Sequence, residues 1–194
     1  MSLVKRIKGW VRRDGEAGSA PSHQEGSGAP ALRVLMVCTG NICRSPIAEG
    51  VLRAKLDASG LGHRVEVDSA GTHGYHTSEA PDPRAIRLAA VRGYDIRKLK
   101  ARPVELADFE GFDWIFALDE GHLRWLQKRV PEGATVSLKL LMAHAYQHPG
   151  TSEVPDPYYG PDAGFEHVLD LVEDACDGLL ARLQSTVDTK GRQN

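Results

Sequence analysis

Cysteine is nearly absent: the chain of 194 residues holds three, Cys38, Cys43 and Cys176. So few, and an odd number, make no disulfide framework, and a reducing compartment, the cytoplasm, is the expected location. Long apolar runs are missing too; none approaches the ~18 residues that a membrane-spanning helix needs. Nor does one sign of charge prevail, since 24 Lys and Arg meet 26 Asp and Glu for a formal charge of −2. That balance gives the whole chain no electrostatic case for nucleic acid. What is present, 41% hydrophobic and 26% charged residues, is ordinary globular composition in a length that suits one domain.

The charge is unevenly spread. Residues 1–30 hold five basic and three acidic side chains, leaving 19 against 23 in the body. Leu3, Val4, Ile7, Trp10 and Val11 fall on one stripe of a helix, with Lys5, Arg6, Lys8, Arg12 and Arg13 mostly off it. This basic amphipathic arm has two readings: weak peripheral contact with a membrane through residues 1–13, or a frayed tail. It has neither the continuous apolar core nor the small-residue cleavage site of a secretory signal. Residues 14–30 are rich in Gly, Ser and Pro without apolar period and predict a flexible linker.

Beyond the linker, short apolar stretches alternate with helical spacing. Strands are predicted at 33–37, 64–68, 113–118 and, weakly, 135–138; helices at 45–60, 83–93, 119–129 and 165–183, with Ser45 capping the first and Pro46 in its first turn. Cys176 lies on the apolar face of the last helix and reads as inert core. Residues 186–194 read as a disordered tail. The order predicts an α/β fold: a single doubly wound domain, a four-stranded parallel sheet with helices on both faces.

In such sheets ligands sit beyond the carboxyl ends of the strands. The first strand delivers Cys38-Thr39-Gly40-Asn41-Ile42-Cys43-Arg44-Ser45 to that edge. Without a Lys-Ser/Thr pair after a second glycine it is not a nucleotide-binding Walker loop. Gly40 and Asn41 both tolerate positive φ, so the N–H groups of the loop can turn inward on one anion, with the start of the next helix adding its positive end. Arg44 brings a planar fork that matches two phosphate oxygens. Cys38 stands in this field as a nucleophile for phosphorus, with Ser45 able to donate to the sulfur as it leaves. Departure of an alkoxide needs a proton, and Asp156, stiffened between Pro155 and Pro157, is the candidate acid. Tyr158 and Tyr159 follow directly and are suited to stack on an aromatic leaving group.

Val37 to Glu49, Val-Cys-Thr-Gly-Asn-Ile-Cys-Arg-Ser-Pro-Ile-Ala-Glu, resembles the signature of the low-molecular-weight protein tyrosine phosphatases. The likeness continues in family order through Asp68-Ser69-Ala70-Gly71-Thr72, Pro81-Asp82-Pro83-Arg84-Ala85, Leu118-Asp119-Glu120 and Asp156-Pro157-Tyr158-Tyr159-Gly160. It implies a phosphatase domain over 31–185 that hydrolyses phosphotyrosine through a cysteinyl-phosphate, without cofactor or metal. It also implies Asp156 as acid and then base, Tyr75 on the pocket wall facing Tyr158, and Ser69 in the polar support of Asn41. The histidine usual in that support, ahead of an Ala-Arg pair, is Leu99 here, a departure that bears on how the loop is held. Asp119, at a strand end, has two equal readings: a brace for Arg44 or a cap for its own helix. Cys43, five residues from Cys38 in one curled loop, is near enough to serve as a redox partner.

Two relatives of this fold are alternatives. Arsenate reductases need relay cysteines in mid-chain, and none stands between Cys43 and Cys176. Protein-arginine phosphatases typically carry threonine where Ile42 stands and lack the double tyrosine after the acid. A non-catalytic phosphate-binding module would leave Asp156 without a purpose. The partners implied are phosphotyrosine proteins, a bacterial tyrosine kinase among them.

Overall fold

The computed structural model describes residues 30–191, and its centre is a four-stranded parallel sheet in the order β2-β1-β3-β4. The elements are β1 Leu32–Cys38, α1 Arg44–Ala58, β2 Val65–Gly71, α2 Pro83–Val91 and α3 Asp108–Gly111, followed by β3 Trp114–Ala117, α4 Glu120–Gln127, β4 Ser137–Leu140 and α5 Asp162–Gly191. A short 3-10 turn, Leu141–His144, follows β4. The amphipathic arm and all but the end of the linker lie outside the described residues.

Helices cover both faces of the sheet, as expected. Successive side chains of β1 point to opposite faces: Val34 and Met36 pack with α1, α2 and α5, while Leu35 and Val37 pack with Phe109 of α3 and Leu126 of α4. A strand buried on both faces has no polar side to show, which is why β1 reads as an unbroken apolar run from Val34 to Cys38.

The largest departures from expectation are in three elements, the other boundaries shifting by three residues or fewer. β2 runs on to Gly71, and β4 sits at Ser137–Leu140, two residues later than its weak signal. α5 continues to Gly191, so residues 186–191 are helix and not disordered tail. The cause is a stripe that does not stop at Leu183: Val172, Cys176, Leu179, Leu183 and Val187 keep helical spacing, and Val187 is only 1% exposed. Lys190 then donates to the carbonyl of Ala31 at 3.0 Å. The sequence also gives no warning of α3, a single turn held by Phe109 in the core.

The sheet order places the site. The chain leaves β1 towards β2, then crosses back to β3 on the other side, so the loops after β1 and β3 part at the boundary between them. Cys38 ends β1 at that switch point, opposite Gly71 of β2. A Cβ at Gly71 would lie 2.6 Å from the carbonyl oxygen of Thr39, so only glycine lets β2 approach the loop this closely.

Candidate active site

The loop from Cys38 to Ser45 turns its carbonyls outward. Those of Cys38 and Thr39 accept the N–H groups of Thr72 and His73 at 2.8 and 3.0 Å, and that of Ile42 accepts Asp82 at 2.8 Å. Among the described residues, the backbone N–H groups of Thr39 to Cys43 find no acceptor in the chain. These free donors, ahead of the N-terminus of α1, make a concave surface for an anion. Asn41 takes the left-handed conformation that the curl requires, with φ of 55°. Its side chain locks it there: Nδ2 donates to Ser45 Oγ at 2.9 Å and to Ser69 Oγ at 2.8 Å, and Oδ1 accepts the Arg102 N–H at 3.0 Å.

Leu99 therefore leaves no gap in the support of Asn41. Ser69 passes the chain of bonds to Glu49, donating to Oε2 at 2.5 Å, and Glu49 Oε1 faces Arg53 Nη1 at 2.8 Å. Burial pushes the Glu49 carboxyl up to about 7, against the opposing pull of Ser69 and Arg53.

Ser45 does not cap α1, contrary to expectation; it is the second residue of the helix, and Cys43 holds the cap position without a side-chain bond. Its hydroxyl is used for the sulfur instead. Ser45 Oγ lies 3.0 Å from Cys38 Sγ while accepting Asn41 Nδ2, which leaves its hydrogen for Sγ or for the Ala70 carbonyl at 3.3 Å. The neighbouring thiol of Cys43 is buried, and that burial, aided by Asp82, pushes it well above the ordinary thiol range.

Arg44 is buried and held at both ends of its fork. Nη1 donates to Asp119 Oδ2 at 2.8 Å and to the Val154 carbonyl at 3.2 Å; Nη2 donates to Asp156 Oδ2 at 2.9 Å and Thr39 Oγ1 at 3.3 Å. Asp119 performs both of the roles left open for it, one with each oxygen: Oδ2 braces Arg44 and Oδ1 caps α4 through the His122 N–H at 2.8 Å. Burial opposes the charge on Asp119, but bonds from His122 and Arg44 outweigh it and hold its carboxyl well below the usual carboxylate range.

Asp156 reaches the site on the loop after the 3-10 turn. Val154 anchors that loop, its N–H donating to the Leu118 carbonyl at 2.8 Å and its carbonyl accepting from Arg44. Tyr158 N–H closes a turn onto Asp156 Oδ1 at 3.1 Å. Cys38, Arg44 and Asp156 line one pocket of about 250 Å³ with Thr39, Gly40, Ile42, Cys43, Tyr75, His76, Tyr158 and Tyr159. Tyr75 stacks on His73 at 5.1 Å between ring centroids and is 76% exposed; Tyr159 is 98% exposed, so the two stand at the rim, whereas Tyr158 is more enclosed.

Several contributors carry no signal of their own in the sequence. Arg84 fixes the rim by donating to the carbonyls of Tyr158 and Gly160 at 2.9 and 3.0 Å. The Pro81-Asp82-Pro83-Arg84 motif marks it without saying what it touches. His76 packs against Gly40, whose hypothetical Cβ would meet its ring at 3.0 Å. His122, inside α4, reaches Thr39 across the loop.

The family model described as low molecular weight phosphotyrosine protein phosphatase matches residues 33–189. A low molecular weight protein-tyrosine-phosphatase of Streptomyces coelicolor is 46% identical over 158 residues, covering 80% of this chain and 96% of that protein. A low molecular weight phosphotyrosine protein phosphatase of Schizosaccharomyces pombe is 41% identical over 136 residues, 69% of this chain and 85% of that one. In three dimensions, a protein tyrosine phosphatase of Entamoeba histolytica, crystallised with Hepes in its active site, superposes with a TM-score of 0.76 at 39% identity, covering 79% and 97% of the two chains.

Proposed function

The chain belongs to the low molecular weight phosphotyrosine protein phosphatase family, and on that premise we propose that its protein-tyrosine-phosphatase activity runs through Cys38, Arg44 and Asp156. The observation that carries the assignment is the Cys38 sulfur, 3.0 Å from the Ser45 hydroxyl, at the base of a loop of unpaired N–H groups shared with Arg44. The loop from Cys38 to Ser45 is the phosphate-binding loop of this reading.

In the first step the Cys38 thiolate attacks phosphorus in line. The S–P bond forms as the bond to the tyrosyl oxygen breaks, and Asp156 gives that oxygen its proton. In the second, water attacks phosphorus and passes a proton to the Asp156 carboxylate; the S–P bond breaks, releasing phosphate and restoring the thiolate. Ser45 supports the departing sulfur with its hydroxyl. Arg44 and the loop amides hold the equatorial oxygens throughout; Asp119, Val154 and Thr39 keep the fork in place, while the bond from Nη2 to Asp156 opens to a phosphoryl oxygen and frees the carboxyl for the leaving group.

Specificity follows from depth. Tyr75, Tyr158 and Tyr159 around the mouth suit a phenyl ring and leave phosphoserine too short to reach the sulfur. We place the enzyme in the cytoplasm; among the described residues no helix is long and apolar enough to cross a membrane. A bacterial tyrosine kinase among the phosphotyrosine proteins and weak membrane contact through residues 1–13 belong to the same proposal. The test is turnover of a phosphotyrosine peptide against its phosphoserine counterpart, with Cys38→Ser as control. Cys38→Ser should abolish turnover and still bind vanadate; retained turnover would move the nucleophile elsewhere.

A further inference from the structure

We propose that His122 is a positioning residue of this site, setting the direction of the Thr39 hydroxyl so that it receives an N–H of Arg44. The inference rests on the reading of Arg44 as the holder of the phosphoryl oxygens. His122 is buried in the first turn of α4, and both ring nitrogens meet the site. Nε2 lies 2.8 Å from Thr39 Oγ1, and Nδ1 lies 2.9 Å from Asp119 Oδ1.

The tautomer follows from the second contact. Its direction is poor for a hydrogen bond, yet a bare nitrogen lone pair so close to a carboxylate oxygen would be repelled, so Nδ1 carries a hydrogen. In the neutral ring Nε2 is then an acceptor, and the Thr39 hydroxyl is the donor. A hydroxyl committed as donor to His122 keeps its lone pairs for Arg44 Nη2, 3.3 Å away. The result is a closed circuit: Arg44 donates to Thr39, Thr39 to His122, and His122 faces Asp119, which accepts from Arg44. Asp119 fixes one end of the fork directly, and His122 fixes the other through Thr39.

Without the imidazole, the Thr39 hydroxyl is free to rotate and donate into the pocket it lines, and Nη2 is left with Asp156 as its one fixed acceptor. A fork that is no longer fixed binds the tetrahedral dianion less well, so the loss falls on phosphate binding.

The experiment compares wild type, Thr39→Val, His122→Ala and the double variant. The Val replacement keeps the shape and removes only the hydroxyl, so it reports even where His122→Ala folds poorly. Each single change should raise KM for p-nitrophenyl phosphate and Ki for inorganic phosphate roughly 5- to 20-fold, and the double variant should be no worse than the larger single, since both break the same link. A merely structural histidine would lower the active fraction, and so the maximal rate, while leaving KM and Ki unchanged. A folded His122→Ala with KM and Ki within about twofold of wild type, or losses that multiply in the double variant, would overturn the proposal. Wild-type turnover that depends on Cys38 is measured alongside, so a failure of the underlying site reading is seen separately.

Discussion

Glu49 is a carboxylic acid placed where water scarcely reaches it, at 2% exposure, one hydrogen bond from the residue that props Asn41. Replacing it with Gln keeps an acceptor for Ser69 and removes the titration. Burial raises the folded carboxyl from 4.5 to about 7. The folded protein therefore keeps this proton over a pH range in which the unfolded chain has lost it. The stability this provides is fully present below about 4.5 and is lost as pH rises through about 7. That interval corresponds to about 3 kcal/mol, of which about 2.5 kcal/mol falls between about pH 5 and pH 8. Urea unfolding of wild type and Glu49→Gln, followed by tryptophan fluorescence at several pH values, gives the difference between the two proteins. Groups common to both cancel in it. The wild type should lose about 2 to 3 kcal/mol relative to Glu49→Gln over that range. A difference that stays flat, or one that grows in favour of wild type as pH rises, would mean that the Arg53 ion pair outweighs burial and that the reasoning is wrong.

Three further outcomes are expected. Asp156→Asn should reduce kcat for phosphotyrosine roughly 10²- to 10⁴-fold and much less for aryl phosphates with acidic leaving groups, which need no proton; an equal loss across a leaving-group series counts against Asp156 as the acid. The proposed latch, in which Cys43 captures the oxidised Cys38 as a disulfide before further oxidation, predicts that after mild peroxide dithiothreitol restores activity in wild type and far less in Cys43→Ser; equal recovery in both proteins argues against it. Deleting residues 1–30 should leave KM and kcat for p-nitrophenyl phosphate nearly unchanged while removing salt-sensitive co-sedimentation with anionic vesicles, and a full-length protein that ignores such vesicles at low salt has no membrane arm.

The layers of the fold were legible because burial on both sheet faces writes itself into sequence as apolar runs, and helices between them keep their spacing. β1 and α1 are of this kind. β4 was weak because its four residues are all only half-buried at the sheet edge, so packing places little demand on them. The full length of α5 is not legible in the sequence, because polar residues surround Val187 and a single apolar side chain marks the last buried turn.

The site was legible where function compresses chemistry into one stretch of chain, as from Cys38 to Ser45, and where a stiff motif announces a carboxylate, as at Asp156. Its support was not, because those contacts join positions far apart in sequence. Asp119 illustrates the limit: a strand-end aspartate before a helix fits a cap and a brace equally well, and only the placement of Arg44 and His122 about its two oxygens shows that it is both. Leu99 shows the converse. A missing histidine suggests a weakened loop when one position is considered alone, yet Asn41 has three partners, Ser45, Ser69 and the Arg102 backbone, and none of them is at 99. With these bonds made, the strained φ of 55° is held by the backbone and by Ser69, and Leu99 is free to pack against the apolar core instead.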